Sequence, residues 1–242
     1  MGVRREALLA ASNNVDWYNA VFRSLGLSGS IENGVWTSRD EAPPYHSNAV
    51  ILSPDAGDAQ WEFIRRLTRE LGRPFSFKDA FATLDFAADG FRPLFDAVWI
   101  WRDADTPPPQ QSSDVEWRRA TTPAELAAWE AGLRANGSPA GRHVFLPRLL
   151  DDASMAFFTA RDRRGIVAGC AANRSAEVVG FSNFFAAEPN DGGLLRGAVA
   201  ATIRFAPGVS IVGYERGDAL TAMERLGFRA IHPLRVWLTS NS

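Results

Sequence analysis

Tyr214 and Glu215 stand where one apolar run, Val209-Ser210-Ile211-Val212-Gly213, ends, and Phe184-Phe185-Ala186-Ala187 close another that opens at Glu177. Each run reads as a strand followed by a helix, the pattern of neighbouring parallel strands joined by a crossover helix. Ligands bind at the carboxyl ends of such strands. A site is therefore expected where 184–187 and Tyr214-Glu215 emerge. Other chemistry is poorly supplied. His46, His143 and His232 are isolated and have no metal-ligand spacing, so no metal is expected. Cys170 lies in the apolar run Ile166 to Ala172 with no histidine or basic residue adjacent, and reads as a buried, inert thiol. No Gly-x-Ser-x-Gly elbow and no Walker loop occurs.

The elements that must position these residues follow from periodicity and turn signals. Residues 6–25 predict a helix, either continuous or broken near Asn13-Asn14, and ended by Gly26 and Gly29. Strands are expected at 34–38 and 48–52, with Pro43-Pro44 forbidding helix between them. Trp61, Ile64, Leu67 and Leu71 mark a helix that Asp55 or Asp58 caps and Gly72 closes. Then come Phe75-Ser76-Phe77, a helix-like stretch from Ala80 to Ala88, and the strand Ala97 to Trp101. Thr106-Pro107-Pro108-Pro109-Gln110-Gln111-Ser112-Ser113 cannot pack a core and reads as an extended linker. It divides the chain into 1–105 and 114–242. Beyond it are a strand at 115–120, a helix opened by the capping box Thr122-Pro123-Ala124-Glu125, and a short helix near 146–150. Two strands joined by the turn Arg161 to Gly165 read as an antiparallel hairpin.

Composition bounds the function. The chain has 242 residues, 46% hydrophobic and 22% charged, enough for a sizeable core. A formal net charge of −2 gives no reason to expect a nucleic-acid partner. The apolar run after Arg5 is broken by Ser12-Asn13-Asn14, and no run is long enough to span a bilayer. One cysteine excludes an intrachain disulfide, which suits a reducing, cytoplasmic setting. The eight tryptophans read as core and seam fillers.

The two parts share a pattern. Phe75-Ser76-Phe77, Ala82, Gly90-Phe91-Arg92 and Val98-Trp99-Ile100 correspond to Val209-Ser210-Ile211, Ala219, Gly227-Phe228-Arg229 and Val236-Trp237-Leu238 after a one-residue insertion. An internal duplication explains this simply. The order of elements, with an alanine eight residues before a terminal Gly-Phe and a strand after it, resembles the GNAT superfamily of acyl-CoA-dependent N-acyltransferases. The resemblance covers 114–242 fully and about 6–103 as a reduced copy. It implies an α/β fold, a mixed twisted sheet flanked by helices, in two tandem copies.

The resemblance also implies a site. The strand 178–185 would carry a bulge and splay from the strand 210–214. The pantetheine arm of acetyl-CoA or another acyl-CoA would bond the main chain of Phe184, Phe185 and Ala186. Its pyrophosphate would meet Gly192, Gly193 and Leu194, where backbone amides open a helix. The chain departs from the family here: Asn190 stands where Gln or Arg is usual, Asp191 adds negative charge, and Leu195 replaces a small residue. Gly192-Gly193 reads equally as a plain loop entering the helix. The first half has no glycine-rich turn between Leu52 and Trp61 beyond Gly57, so a cofactor is expected in the second half only. The family's thiolate-protonating tyrosine is Met223 here and Phe86 in the first half, with Arg216 and Asp79 at its asparagine position. Transfer to an amine needs a base. Glu215 is the first candidate and Glu177 the second, while Tyr214 would orient the acceptor or supply the missing proton. Asn183 is a candidate substrate contact, or satisfies the bulged backbone. The expected activity is transfer of an acyl group, acetyl above all, to a small-molecule amine by a monomer or homodimer. The alternative is a non-catalytic or repurposed scaffold binding a metabolite or protein partner.

Overall fold

A computed structural model describes residues 5–110, 115–136, 141–163, 165–188 and 192–239. Asn190 and Asp191 lie outside the described residues. In chain order the elements are α1 (Arg5–Ser24), β1 (Ser30–Glu32), β2 (Val35–Thr37), β3 (Ala49–Ile51), α2 (Asp58–Leu71), β4 (Ser76–Asp79) and β5 (Phe91–Arg102). The second part continues with β6 (Glu116–Arg119), α3 (Pro123–Ala135), β7 (Met155–Asp162), β8 (Gly165–Arg174) and β9 (Val178–Ala186). It ends with α4 (Gly192–Phe205), β10 (Ser210–Glu215), α5 (Gly217–Glu224) and β11 (Arg229–Thr239). The strands form one mixed sheet in the order β1-β2-β3-β4-β11-β5-β10-β9-β8-β7-β6. No helix among the described residues is long and apolar enough to cross a membrane.

Local signals decide most elements. At the start of α3 the Thr122 hydroxyl accepts from the Glu125 N–H at 3.3 Å while the Glu125 carboxylate accepts from the Thr122 N–H at 3.0 Å, the reciprocal cap expected there. α2 is capped otherwise than expected: Gly57 precedes it, and the Gln60 side chain accepts the Gly57 N–H at 2.9 Å in place of either aspartate. The stretch 80–88 is not a helix. Burial of Asp79 at the end of β4 turns its carboxylate onto the N–H groups of Phe81, Thr83 and Leu84, and Ala82 adopts a positive φ of 50°. A side chain that competes for backbone donors favours a turn, and only a single 3-10 turn at Ala87–Asp89 survives.

α1 runs unbroken through Asn13 and Asn14, because both asparagines bond elsewhere in the protein. Asn13 donates to the Asn173 carbonyl at 3.0 Å, and Asn173 donates back to the Asn13 carbonyl at 3.0 Å. Gly180 lies opposite, and this pair leaves no room there for a Cβ. The helix thus crosses to the second half of the chain. It packs over β9, β5, β10 and β8, and Trp17 meets Phe145 and Phe157 in a ring cluster completed by Trp129. α1 and α3 cover this back face of the sheet. α2 covers the front of one half with Phe63, Ile64 and Leu67; α4 and α5 cover the front of the other.

The connection β3-α2-β4 makes a parallel pair, and β9-α4-β10 makes another. The strand that follows each then crosses over. β5 pairs with β10 from Ile211↔Arg102 to Glu215↔Val98, and β11 pairs with β4 from Arg235↔Asp79 to Leu238↔Ser76. β5 and β11 are bound antiparallel to each other from Arg229↔Trp101 to Thr239↔Phe91. Each part therefore closes its sheet with a strand of the other. Residues 114–242 expressed alone would leave one edge of β10 and both edges of β11 unpaired, an aggregation-prone arrangement. No cooperative thermal transition by circular dichroism is expected for that fragment, whereas the full chain should melt cooperatively.

Candidate functional site

β9 and β10 pair only from Ser210↔Val178 to Val212↔Gly180. Gly213 still passes the Phe181 carbonyl at a distance no Cβ would allow; beyond it the strands part. On its other edge β9 pairs with β8, but Gly169 and Ala171 face Phe185 and Ser182, so β9 holds one extra residue. That residue is a bulge at Asn183, whose φ is 51°. The bulge has a visible effect on side-chain direction. Residues three apart on a regular strand point to opposite faces, yet Phe181 and Phe184 both lie on the front face, with ring centroids 6.2 Å apart. Phe185 is thereby turned to the back, where its ring fills a notch over Gly132 and Gly169.

The parting strands open a cleft of about 730 Å³ on the front of the sheet. Phe184 forms one wall and Gly192, Leu195 and Arg196 at the start of α4 another. α5 presents one helical face along its length, Asp218, Thr221, Ala222 and Arg225, and Met223 and Leu226 close the apolar side. Glu215, the last residue of β10, projects into this space. Burial pushes its carboxyl up to about 7, against a weaker downward pull from the Arg216 guanidinium. A carboxylate poised near neutrality in a cleft is suited to accept a proton.

The expected site residues separate. Glu215, Phe184 and Gly192 meet in the cleft. Leu194 is buried against Ala160 and Ala168, so only its main chain is near the helix start. Asn183 donates to the Ser182 hydroxyl at 3.0 Å and sits at the bulge. Tyr214 points to the back face, among Trp99, Phe95 and Lys78, and burial raises its phenol. Glu177 precedes β9 at the end remote from the cleft, exposed and ion-paired with Arg5. Asp218, Thr221 and Arg225 were not anticipated. Their spacing of three to four residues was the available signal, and it could not be oriented without knowing which face of α5 is covered.

His46 and Cys170 are held in the core. His46 is buried and held down at about 4, accepting from the Trp17 indole at 3.1 Å. The Cys170 thiol is buried and its pKa pushed up, which leaves it unreactive.

No protein-family model matches the chain, and no curated protein sequence matches it. Solved structures do. A GCN5-related N-acetyltransferase from Kribbella flavida matches 100% of this chain and 97% of its own at 18% identity, with a TM-score of 0.70. The fold is that of the GCN5-related N-acetyltransferases. A functionally unknown conserved protein from Staphylococcus epidermidis matches 89% of this chain and 95% of its own at 13% identity and TM-score 0.70. A putative GNAT-family acetyltransferase from Novosphingobium aromaticivorans matches 93% and 99% at 15% identity and TM-score 0.56.

Within this GNAT fold the place in the first half that matches the front cleft is filled. The space between α2 and β4 is filled by Phe77, Phe86, Phe91 and Trp237, with Trp61 closing the end. Phe86 is 0% exposed and stands edge-on to Phe77 at 4.8 Å. Phe86→Ala is expected to cost about 3–5 kcal/mol, the range for emptying a buried phenylalanine site, as measured by urea denaturation.

Proposed function

We propose that the front cleft takes an acyl-CoA and that Glu215 is the general base for transfer of the acyl group to a small amine. The observation that carries this is the placement of Glu215: a half-buried carboxyl, held near neutrality, at the strand end where β9 and β10 part. The donor fits the surroundings. The apolar wall of Phe184, Leu195, Ala222, Met223 and Leu226 suits a pantetheine arm, and Phe184, Phe185 and Ala186 lie on the stretch of β9 that β10 no longer pairs. The start of α4 at Gly192 is the positive end of the helix dipole and favours an anion. Gly192 has no neighbour within 3.4 Å of a would-be Cβ, and Arg196 and Arg225 add positive charge without an ion-pair partner among the described residues.

When bound, the thioester supplies the acyl carbonyl. Ionised Glu215 accepts a proton from the ammonium or attacking amine, and the new N–C bond forms as the C–S bond breaks. Met223 offers no proton, but a thiol of pKa about 8.5 leaves readily as thiolate near neutral pH. Met223 also favours a second reading, a repurposed scaffold that binds an acyl-CoA or another metabolite without turnover.

Calorimetry with acetyl-CoA and longer acyl-CoAs, followed by thiol release in the presence of small amines, tests both readings. Binding with release supports transfer, binding without release supports the scaffold, and no binding by any acyl-CoA removes both acyl-CoA readings. Gly193→Asp is expected to weaken binding about tenfold or more by placing bulk and charge at the helix start. Because the base must be ionised, kcat/KM should rise with pH to a plateau above about 7. Glu215→Gln should abolish that rise and lower the rate by about two to four powers of ten.

A further inference from the structure

Beyond Val212, β10 has lost β9 and is held along one edge only, by β5 through Gly213↔Ile100, Tyr214↔Trp99 and Glu215↔Val98. Its other restraint is on the back face. The Tyr214 ring stands edge-on to Trp99 at 5.6 Å and is stacked with Phe95 at 6.4 Å, and the Lys78 ammonium lies 4.2 Å from its centroid. Lys78 comes from β4, on the far side of the β11-β5 pair. Its Nζ also lies 5.3 Å from the Tyr18 ring and 5.5 Å from Trp99, and donates to Asn14 Oδ1 at 2.6 Å.

Lys78 is 1% exposed, and no carboxylate among the described residues pairs with it. The other ionisable groups near it are Tyr18 and Tyr214, whose rings it faces, His46, and Asp79 on its own strand. The Asp79 carboxylate is occupied by backbone N–H groups. Burial holds the Lys78 amine down at about 7. An ammonium without a counter-ion is costly in a core, and well-packed apolar side chains in place of buried charge are often neutral or stabilising. Cation–π contact offsets part of that cost. Global stability therefore does not account for a lysine at this position.

We propose that Lys78 is a positioning residue: by clamping Tyr214 from the back of the sheet, it fixes the free end of β10 and so the direction of the Glu215 carboxyl in the cleft. The inference rests on Glu215 as the base of the proposed reaction. A methionine of similar length would fill the space, but it cannot bond Asn14 and would bind the Tyr214 π-face less strongly.

The test uses the full-length protein and Lys78→Met, with Asn14→Ala as a milder variant that removes only the acceptor. Three quantities are read: melting temperature at pH 7, the titration midpoint of the Glu215 carboxyl carbon by NMR, and thiol release from acetyl-CoA. For Lys78→Met the melting temperature should rise by roughly 3 °C or more. The Glu215 midpoint should fall by at least about half a pH unit, as the loosened strand end lets water reach the carboxyl. Release should drop about tenfold or more. Asn14→Ala should lower the midpoint by less, and it decides the matter if Lys78→Met does not fold. An unchanged Glu215 midpoint in a folded variant, whether the protein is more or less stable, overturns the proposal. If the wild-type protein neither binds nor cleaves any acyl-CoA, the proposed function fails, while the midpoint still decides the positioning role.

Discussion

Everything in the cleft depends on the antiparallel grip of β5 on β10. β10 keeps only three registers with β9, so a strand of six residues would have one supported edge for half its length if β5 were absent. β5 is 12 residues long, and its first half is mostly exposed while its second half is buried in the central sheet. That length lets one strand bind β11 throughout and still reach β10 with its last residues. The open space in front of Glu215 is thus made by parallel strands that part and made rigid by an antiparallel strand that does not. A ladder of main-chain hydrogen bonds is well suited to the task, because it holds direction without filling the cleft with side chains.

Much of this was legible. The parallel pair β9-β10, the α4 crossover, the capping box of α3 and the β7-β8 hairpin were all present as periodicity and turn chemistry, and the strand end at Glu215 followed from them. The bulge at Asn183 was expected only by resemblance, since Phe-Ser-Asn-Phe-Phe has no glycine to announce a positive φ. The crossing of β5 and β11 was not legible. Strands with the same apolar content pair with whichever edge is available, and the choice is made by long-range geometry that composition does not record. The continuity of α1 was undecided in the sequence for a related reason. Asn13-Asn14 reads locally as a breaker, and only partners more than 60 residues away, Lys78, Asn173 and Ser175, turn those amides outward from the helix.

The two β-α-β connections show how little separates a cleft from a core. β4 and β10 occupy matching places, each following a parallel strand and a helix. After β10 the chain forms α5, eight residues whose face lines open space. After β4, Asp79 gathers the backbone into a turn that drops Phe86 against Phe77 and Trp237. Aromatic rings bury large areas and pack edge-to-face, so the first half gains cohesion where the second keeps a cavity. The filled half supplies the β5 strand and the α1 roof on which the open half rests.

Two ionisable side chains, Glu215 at the end of β10 and Lys78 reaching Tyr214 from β4, act on stability in opposite pH ranges. Burial lowers the Lys78 amine to about 7 from an ordinary 10.5, so the folded state holds fewer protons between those values, and its destabilising effect is complete below about 7 and gone above 10.5. Burial raises Glu215 to about 7 from 4.5, so its effect is absent below 4.5 and complete above about 7. Near neutrality the protein carries most of both. A fold selected only for stability would exchange either group for an apolar one of similar size. That Lys78 reaches Tyr214 on the back of the sheet while Glu215, the next residue, faces the cleft on the front is the arrangement expected where a polar site is held in place at the expense of the core beneath it.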